Sequence, residues 1–243
     1  MMGATQNVEV AGVRLEIVAL AVLAVLVLTW IYRRDRSRVD ADRRVLFDDA
    51  RGLLADAEIE RAPREYPKLR GRYRGHDVVI DAVVDTIAVR KLPSVWLRVT
   101  VKGEVPFAGI CDVMARAHNV EFFSPFNELD LGIALPAGWP DHVSVKTDDP
   151  EAMPPAALLD PHITVFKDER IKELLVTPKG VRIVRQAAQG SRAEYMVLRQ
   201  ANFGPVVVPR AQLQAMLDAA VELLEALQAA RPEDKPTSNG VAA

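Results

Sequence analysis

With 243 residues, 49% of them apolar and 26% charged, and a formal net charge of -2, the chain has the composition of a globular protein. Its single cysteine, Cys111, excludes an internal disulfide and a thiolate-rich metal cluster, and suits a reducing compartment. The near-neutral total hides a split. From Arg33 to Arg74 there are 13 basic and 9 acidic residues, giving +4, whereas from Gly75 onward 17 basic and 22 acidic residues give -5. Attraction to anionic headgroups accounts for such a gradient. With no zinc-finger spacing and no interleaving of aromatic and basic residues, no nucleic-acid partner is expected.

In chain order, residues 1–12 read as a disordered N-terminus. Ile17 to Ile31, IVALAVLAVLVLTWI, carries no charge and has Thr29 as its one polar side chain. Extended back to Val13 it reads as a transmembrane helix over 13–32, with Arg14 and Glu16 at one edge and Trp30 and Tyr32 at the other. A basic n-region and a small-residue processing site are missing, which favours an uncleaved signal-anchor over a signal peptide. Arg33, Arg34, Arg36, Arg38, Arg43 and Arg44 follow the run. These membrane-flanking basic residues predict that the C-terminal part is cytoplasmic and the N-terminus outside.

Residues 33–65 read as a basic juxtamembrane linker or helix. Val45, Leu46, Ala50, Leu53, Leu54 and Ala57 stand at helical spacing in it, as a stalk, a surface helix or a helix packed on the domain. Pro63 and Pro67 end it. A folded α+β domain is expected over 66–230. His76 to about Ile87 and Val95 to Val101 read as an antiparallel pair of strands, and Gly109 to His118 as a short helix. His142 to Lys146 reads as a strand, Asp149 to Leu159 as a helical region, and Pro161 to about Leu174 as helix or strand. ELLVTPKGVRIVRQ reads as two strands about a Pro-Lys-Gly turn, with AEYMVLRQ as a third. Leu213, Met216, Leu217, Ala220, Val221, Leu224 and Leu227 mark an amphipathic helix of about five turns. Residues 231–243 read as a disordered tail. Strands, a mixed region, more strands and a closing helix make α+β with largely antiparallel strands.

Three pieces resemble a family of uncharacterised bacterial membrane-anchored proteins with a C-terminal α+β domain. They are Gly71-Arg72-Tyr73-Arg74-Gly75-His76, Ala157-Leu158-Leu159-Asp160-Pro161, and Leu175-Val176-Thr177-Pro178-Lys179-Gly180-Val181-Arg182-Ile183. The resemblance covers Leu69 to Leu227 and implies no catalytic residue.

No motif of established chemistry is present. His76, His118, His142 and His162 are scattered and form no HExxH, although two of them with Asp77, Asp141 or Asp160 would suffice for a metal. Cys111 and His118 are seven apart on the expected helix, too far for a thiolate–imidazole pair. Ser94, Ser124, Ser144 and Ser191 lack a nucleophile elbow. Lys68, Arg70, Arg72 and Arg74 form a basic lip fit for an anionic partner or lipid, while Phe122, Phe123, Phe126 and Trp139 are core or an aromatic groove. No catalytic, cofactor-binding or metal residue is assigned, and no cofactor is expected. The sequence thus points to a membrane-anchored cytoplasmic binding or scaffold module in the bacterial inner membrane, with the bilayer and a protein as its partners. The alternatives are a membrane-anchored hydrolase or metal-dependent enzyme, or a regulator of a membrane complex.

Overall fold

The computed structural model describes residues 3–63, 65–85, 92–117, 121–192, 195 and 203–230, with side chains from Val18 onward. It opens with one long helix, α1 (Gly3–Arg44), which takes in the segments read as tail, span and the start of the linker. Among the described residues, no helix is long and apolar enough to cross a membrane. The described apolar stretch runs from Val18 to Tyr32, roughly 22 Å of helix at 1.5 Å per residue, before Arg33, Arg34 and Asp35 interrupt it. A hydrocarbon core is about 30 Å thick. This finding corrects the expected transmembrane helix, and with it the signal-anchor, the bilayer as partner and the single-pass inner-membrane placement. The resemblance to membrane-anchored proteins falls for the same reason. The large apolar side chains of this stretch, Leu20 and Leu28 among them, are exposed.

After α1 the chain turns repeatedly through residues 45–54 and buries Leu46, Phe47, Ala50 and Leu54 in the main core. Of the three arrangements open for this segment, packing against the domain is the one observed, in turns rather than as a helix. Among the described residues, nine antiparallel strands then build a single sheet in the order β1-β2-β3-β4-β9-β8-β5-β7-β6. Strands β1 (Ala55–Glu60), β2 (Lys68–Tyr73), β3 (His76–Asp85) and β4 (Ser94–Lys102) form a meander. Strands β8 (Ile171–Thr177) and β9 (Gly180–Gln189) form a hairpin whose second strand pairs with β4. Strand β5 (Cys111–Ala115) lies between β8 and β7 (Val143–Thr147), and β6 (Leu131–Ile133) closes the far edge.

Helix α3 (Arg210–Ala229) packs across β4 and β9. Every residue of its expected apolar stripe is buried, together with Leu223. It meets the face formed by Val78, Ile80, Val95, Leu97, Val99, Val181 and Ile183, since alternate strand residues share a face. Each such Leu or Val side chain contributes about 1.5–3 kcal/mol by leaving water. The α3 N-terminus is capped from a distance, because Pro209 offers no side-chain cap and Asp49 Oδ2 accepts the Arg210 N–H at 2.7 Å. The adjacent Val208 N–H donates to the Leu46 carbonyl.

Local expectations fail where tertiary pairing overrides the residue pattern. The segment from Cys111 to Ala115 is a strand rather than a helix, buried on both faces and covered by β7 and β8. Ala55–Glu60, read as part of a helix, is strand β1, drawn to β2 by Asp56 against Arg72 and Glu60 against Arg70. The helical region before Leu159 shrinks to α2 (Ala156–Leu159), followed by a 3-10 helix over Asp160–Lys167. The third strand expected at AEYMVLRQ lies mostly outside the described residues, as do His118 and the tail beyond 230.

Candidate functional site

Strand β2 begins at Lys68, because Pro67 before it has no N–H to give to a ladder. Strand β3 runs further: its pairing with β2 ends at Ile80, whereas its pairing with β4 continues to Asp85 opposite Ser94. On the β2 side of the sheet, Ala82, Val83 and Val84 therefore extend past the end of the neighbouring strand. Opposite them stand Ala62, Glu65 and Tyr66 of the β1–β2 connection and Arg43 from the last turn of α1. The space enclosed is a cleft of about 610 Å³, which Glu60, Lys68, Asp81 and Arg98 also line. That volume falls in the range of about 300–1,000 Å³ typical of small-ligand sites.

Two pairs neutralise part of the lining. Asp81 accepts both Arg98 Nε and a terminal nitrogen, at 2.8 and 2.6 Å, in a two-pronged pair with both side chains about three-quarters buried. The bond to Asp81 pushes the Arg98 guanidinium further up from an already high value. Glu60 is engaged by Arg70 at 3.3 Å across the β1–β2 ladder. Arg43 lies over the Tyr66 ring at 5.4 Å, and burial raises the Tyr66 phenol against the lowering effect of Arg43. Lys68 and Glu65 make no side-chain hydrogen bond or ion pair among the described residues. With the two neutralised pairs set aside, Lys68 and Glu65 bring one charge of each sign to the lining.

Of the basic lip read from the sequence, Lys68 alone faces this cleft. Arg70 and Arg72 pair with Glu60 and Asp56, and Arg74 lies within 4 Å of Asp218, Glu222 and Glu225 on α3. Arg33, Arg34, Arg36 and Arg38 sit on α1, where Arg34 covers Trp30 and Arg36 covers Tyr32. The lip is largely turned to internal pairing, because β1 and α3 supply acids on both sides of β2.

The sheet face away from α3 holds a second polar cluster. Arg182 donates to both oxygens of the fully buried Glu173, at 2.9 and 3.2 Å. Asp112, also fully buried, accepts Ser124 Oγ at 2.9 Å on Oδ2, while its Oδ1 has no hydrogen-bond partner. Burial first, and then the charge of Glu173, push the Asp112 carboxyl well above the usual carboxylate range. Lys172 donates to the Ala115 and Arg116 carbonyls and pairs with buried Glu121 at 3.2 Å. Ser124, Phe126 and Glu121 thereby hold the β5–β6 connection down on this face. Phe123 packs with Trp96 at 5.4 Å between ring centroids. This cluster is closed, and it acts as a staple between elements rather than as a site open to a ligand.

His76 on β3 approaches Glu225 at 3.4 Å, His142 precedes β7, and His162 lies in the 3-10 helix, where burial lowers its pKa. Among the described residues, no group of three or more His, Cys, Asp or Glu side chains is placed to hold a metal ion. Cys111 is buried, and its thiol is pushed up to about 12 by burial and by Asp112. Phe123, Phe126 and Trp139 are core, with Trp139 Nε1 donating to Asp160, while Phe122 is about half exposed. Sequence reading passed over Tyr66, Asp81 and Arg98 as site residues. The signal available was a charged residue at the polar parity of each of two adjacent strands, Asp81 directly opposite Arg98.

No protein-family description and no curated protein matches the chain. Among solved structures, one that matches is the crystal structure of the mycobacterial trehalose monomycolate transport factor A, TtfA. The two are 12% identical, with a TM-score of 0.36 over 74% of this chain and 78% of that one.

Proposed function

We propose that the chain is a binding module that engages another molecule through the cleft between β3 and the β1–β2 connection. The observation that carries this reading is the 610 Å³ recess, lined by an apolar stretch of strand and by Lys68 and Glu65, which have no ion pair among the described residues. Unpaired charges of both signs beside apolar backbone suit recognition by orientation. The other polar cluster is closed on itself, so it offers a partner much less. The earlier membrane-anchored form of this function is set aside with the transmembrane helix.

A photoreactive amino acid at Ala62, on the cleft wall, tests the reading. The full chain should give a discrete cross-link from Ala62 that is lost when Lys68→Glu is added. None is expected from the same group at Gln214, on the exposed side of α3. Equal adducts from both positions, or an Ala62 adduct indifferent to Lys68→Glu, would remove the cleft as the binding site.

A further inference from the structure

We infer that a second cavity, between α3 and the β8–β9 hairpin, binds a small uncharged molecule with an apolar body and one carbonyl oxygen, which Arg185 holds. The cavity has a volume of about 250 Å³ and shares no lining residue with the cleft beside β3, so the two sites are independent.

Strand parity places a charge where the fold otherwise buries carbon. Val181, Ile183 and Arg185 alternate along β9 on the face that meets α3, and Arg185 stands between Leu97 on β4 and Ile171 on β8. Its side chain is about nine-tenths buried. Arginine is almost never buried to that degree unless it is paired. Here the pairing is partial: Asp168 Oδ2 accepts Nε at 2.7 Å, and the Gln186 carbonyl accepts Nη1 at 3.3 Å. A guanidinium has five N–H groups to give, and Nη2 has no partner among the described residues. Asp168 is itself held, since its other oxygen accepts the Arg170 N–H at 2.9 Å. The guanidinium is thus fixed on the cavity wall with donors to spare.

The rest of the lining suits an apolar body. Val165, Ile171, Ile183 and Met216 form its walls, and Met216 can adapt its shape to an occupant. Ala215 and Ala219, four apart and so on one face of α3, keep open the space that leucines like those of the buried stripe would fill. Ala215 is exposed, and the cavity opens along that side of the helix. An apolar void of roughly 150 Å³ takes a benzene molecule, so this larger one takes a ring with a short substituent.

Charge selects the neutral class. Within the lining, Arg185 and Asp168 bring one charge of each sign. An incoming carboxylate would lose its water against apolar walls and meet the Asp168 carboxylate beside the guanidinium. A hydrocarbon would cover Nη2 and leave it without an acceptor. A carbonyl oxygen meets the donor and brings no charge.

The test compares three probes of similar size on the full chain, carrying carbon-13 methyl labels on its methionines: acetophenone, benzoate and ethylbenzene. Expected is a saturable shift of the Met216 methyl signal with acetophenone, at an affinity tenfold or more above that of either other probe. Arg185→Met should bring acetophenone down to the level of ethylbenzene; Asp168, with its side chain 43% exposed, stays hydrated in that variant. Ala219→Leu should abolish the shift with every probe without lowering the urea midpoint. Equal affinity of the unaltered chain for acetophenone and ethylbenzene, or acetophenone binding indifferent to Arg185→Met, would overturn the role of the guanidinium and with it the inference. Benzoate as the tightest probe would replace the uncharged class with an anion and overturn it equally. A Met216 signal that no probe moves, or that moves as before in Ala219→Leu, overturns the cavity as the site and leaves the cleft beside β3 untouched.

Discussion

Leu46 lies upstream of Tyr66, where the residue pattern would begin the folded domain, yet it is fully buried in the main core beside Phe47 and Ala50. Its carbonyl accepts the Val208 N–H at 2.9 Å, just before the α3 cap that Asp49 supplies. Leu46→Ala removes the side chain and leaves a cavity that this tied-down backbone closes poorly. Truncation of a buried leucine costs about 2–5 kcal/mol. The double tether to the start of α3 limits relaxation, so roughly 3 kcal/mol is the expected loss. For a domain of this size that is a fall in Tm of about 6–12 °C, at roughly 2–4 °C per kcal/mol. Urea titration followed by tryptophan fluorescence reads it directly, because Trp96 and Trp139 are both buried. Val39→Ala on the exposed side of α1 is the control and should stay within about 0.5 kcal/mol of the parent. A Leu46→Ala loss below about 1 kcal/mol would mean that residues 45–54 do not belong to the folding unit.

Two further outcomes test the interior. Cys111, with its thiol pushed up to about 12, has on the order of one ten-thousandth of its population as thiolate at pH 8. It should resist a disulfide reagent in the native chain and react fully in denaturant; prompt native labelling would show that β5 is not enclosed. Asp112 has a folded pKa raised above its unfolded value, so its contribution to stability is fully present below the unfolded value and is lost as pH rises through the folded one. Asp112→Asn keeps an acceptor for Ser124 and removes that titration. The variant should therefore gain on the parent as pH rises through this window, read as urea midpoints at pH 4, 6 and 8. Parallel curves would show that Asp112 titrates as it does in the unfolded chain.

Helix α3 was legible because one of its faces is wet. Helix α3 declares itself because Gln212, Gln214, Glu222 and Glu225 separate its buried leucines into a stripe. The β8–β9 hairpin is equally plain from its Pro178-Lys179-Gly180 turn, although β8 is buried on both faces; at Gly180 a Cβ would strike the Val101 carbonyl oxygen. Strand β5 was hidden for the opposite reason. Both of its faces are buried, so Val113 and Met114 are apolar in succession, and the spacing of Ile110, Met114 and Ala117 imitates a helix. The apolar run of α1 misled because the expected span reached twenty residues only by taking in Arg14 and Glu16, while the uncharged stretch itself is shorter than a hydrocarbon core.

The cleft was illegible for a different reason: it is a property of register, not of any residue pattern. It exists because β3 outruns β2, and what fixes the position of β3 is the charged face of the sheet. A one-residue slip of β3 on β4 would send Asp81 to the α3 side and leave Arg98, three-quarters buried, without its carboxylate. Arg182 with Glu173 sets β9 on β8 in the same way. Breaking a buried pair costs more than the pair contributes against apolar replacements, so such pairs act chiefly by excluding alternatives. On this argument the paired charges of the second face, Asp81 and Arg98 among them, act chiefly through register. They hold the sheet in the register that leaves Ala82-Val83-Val84 beside the cleft that Lys68 also lines.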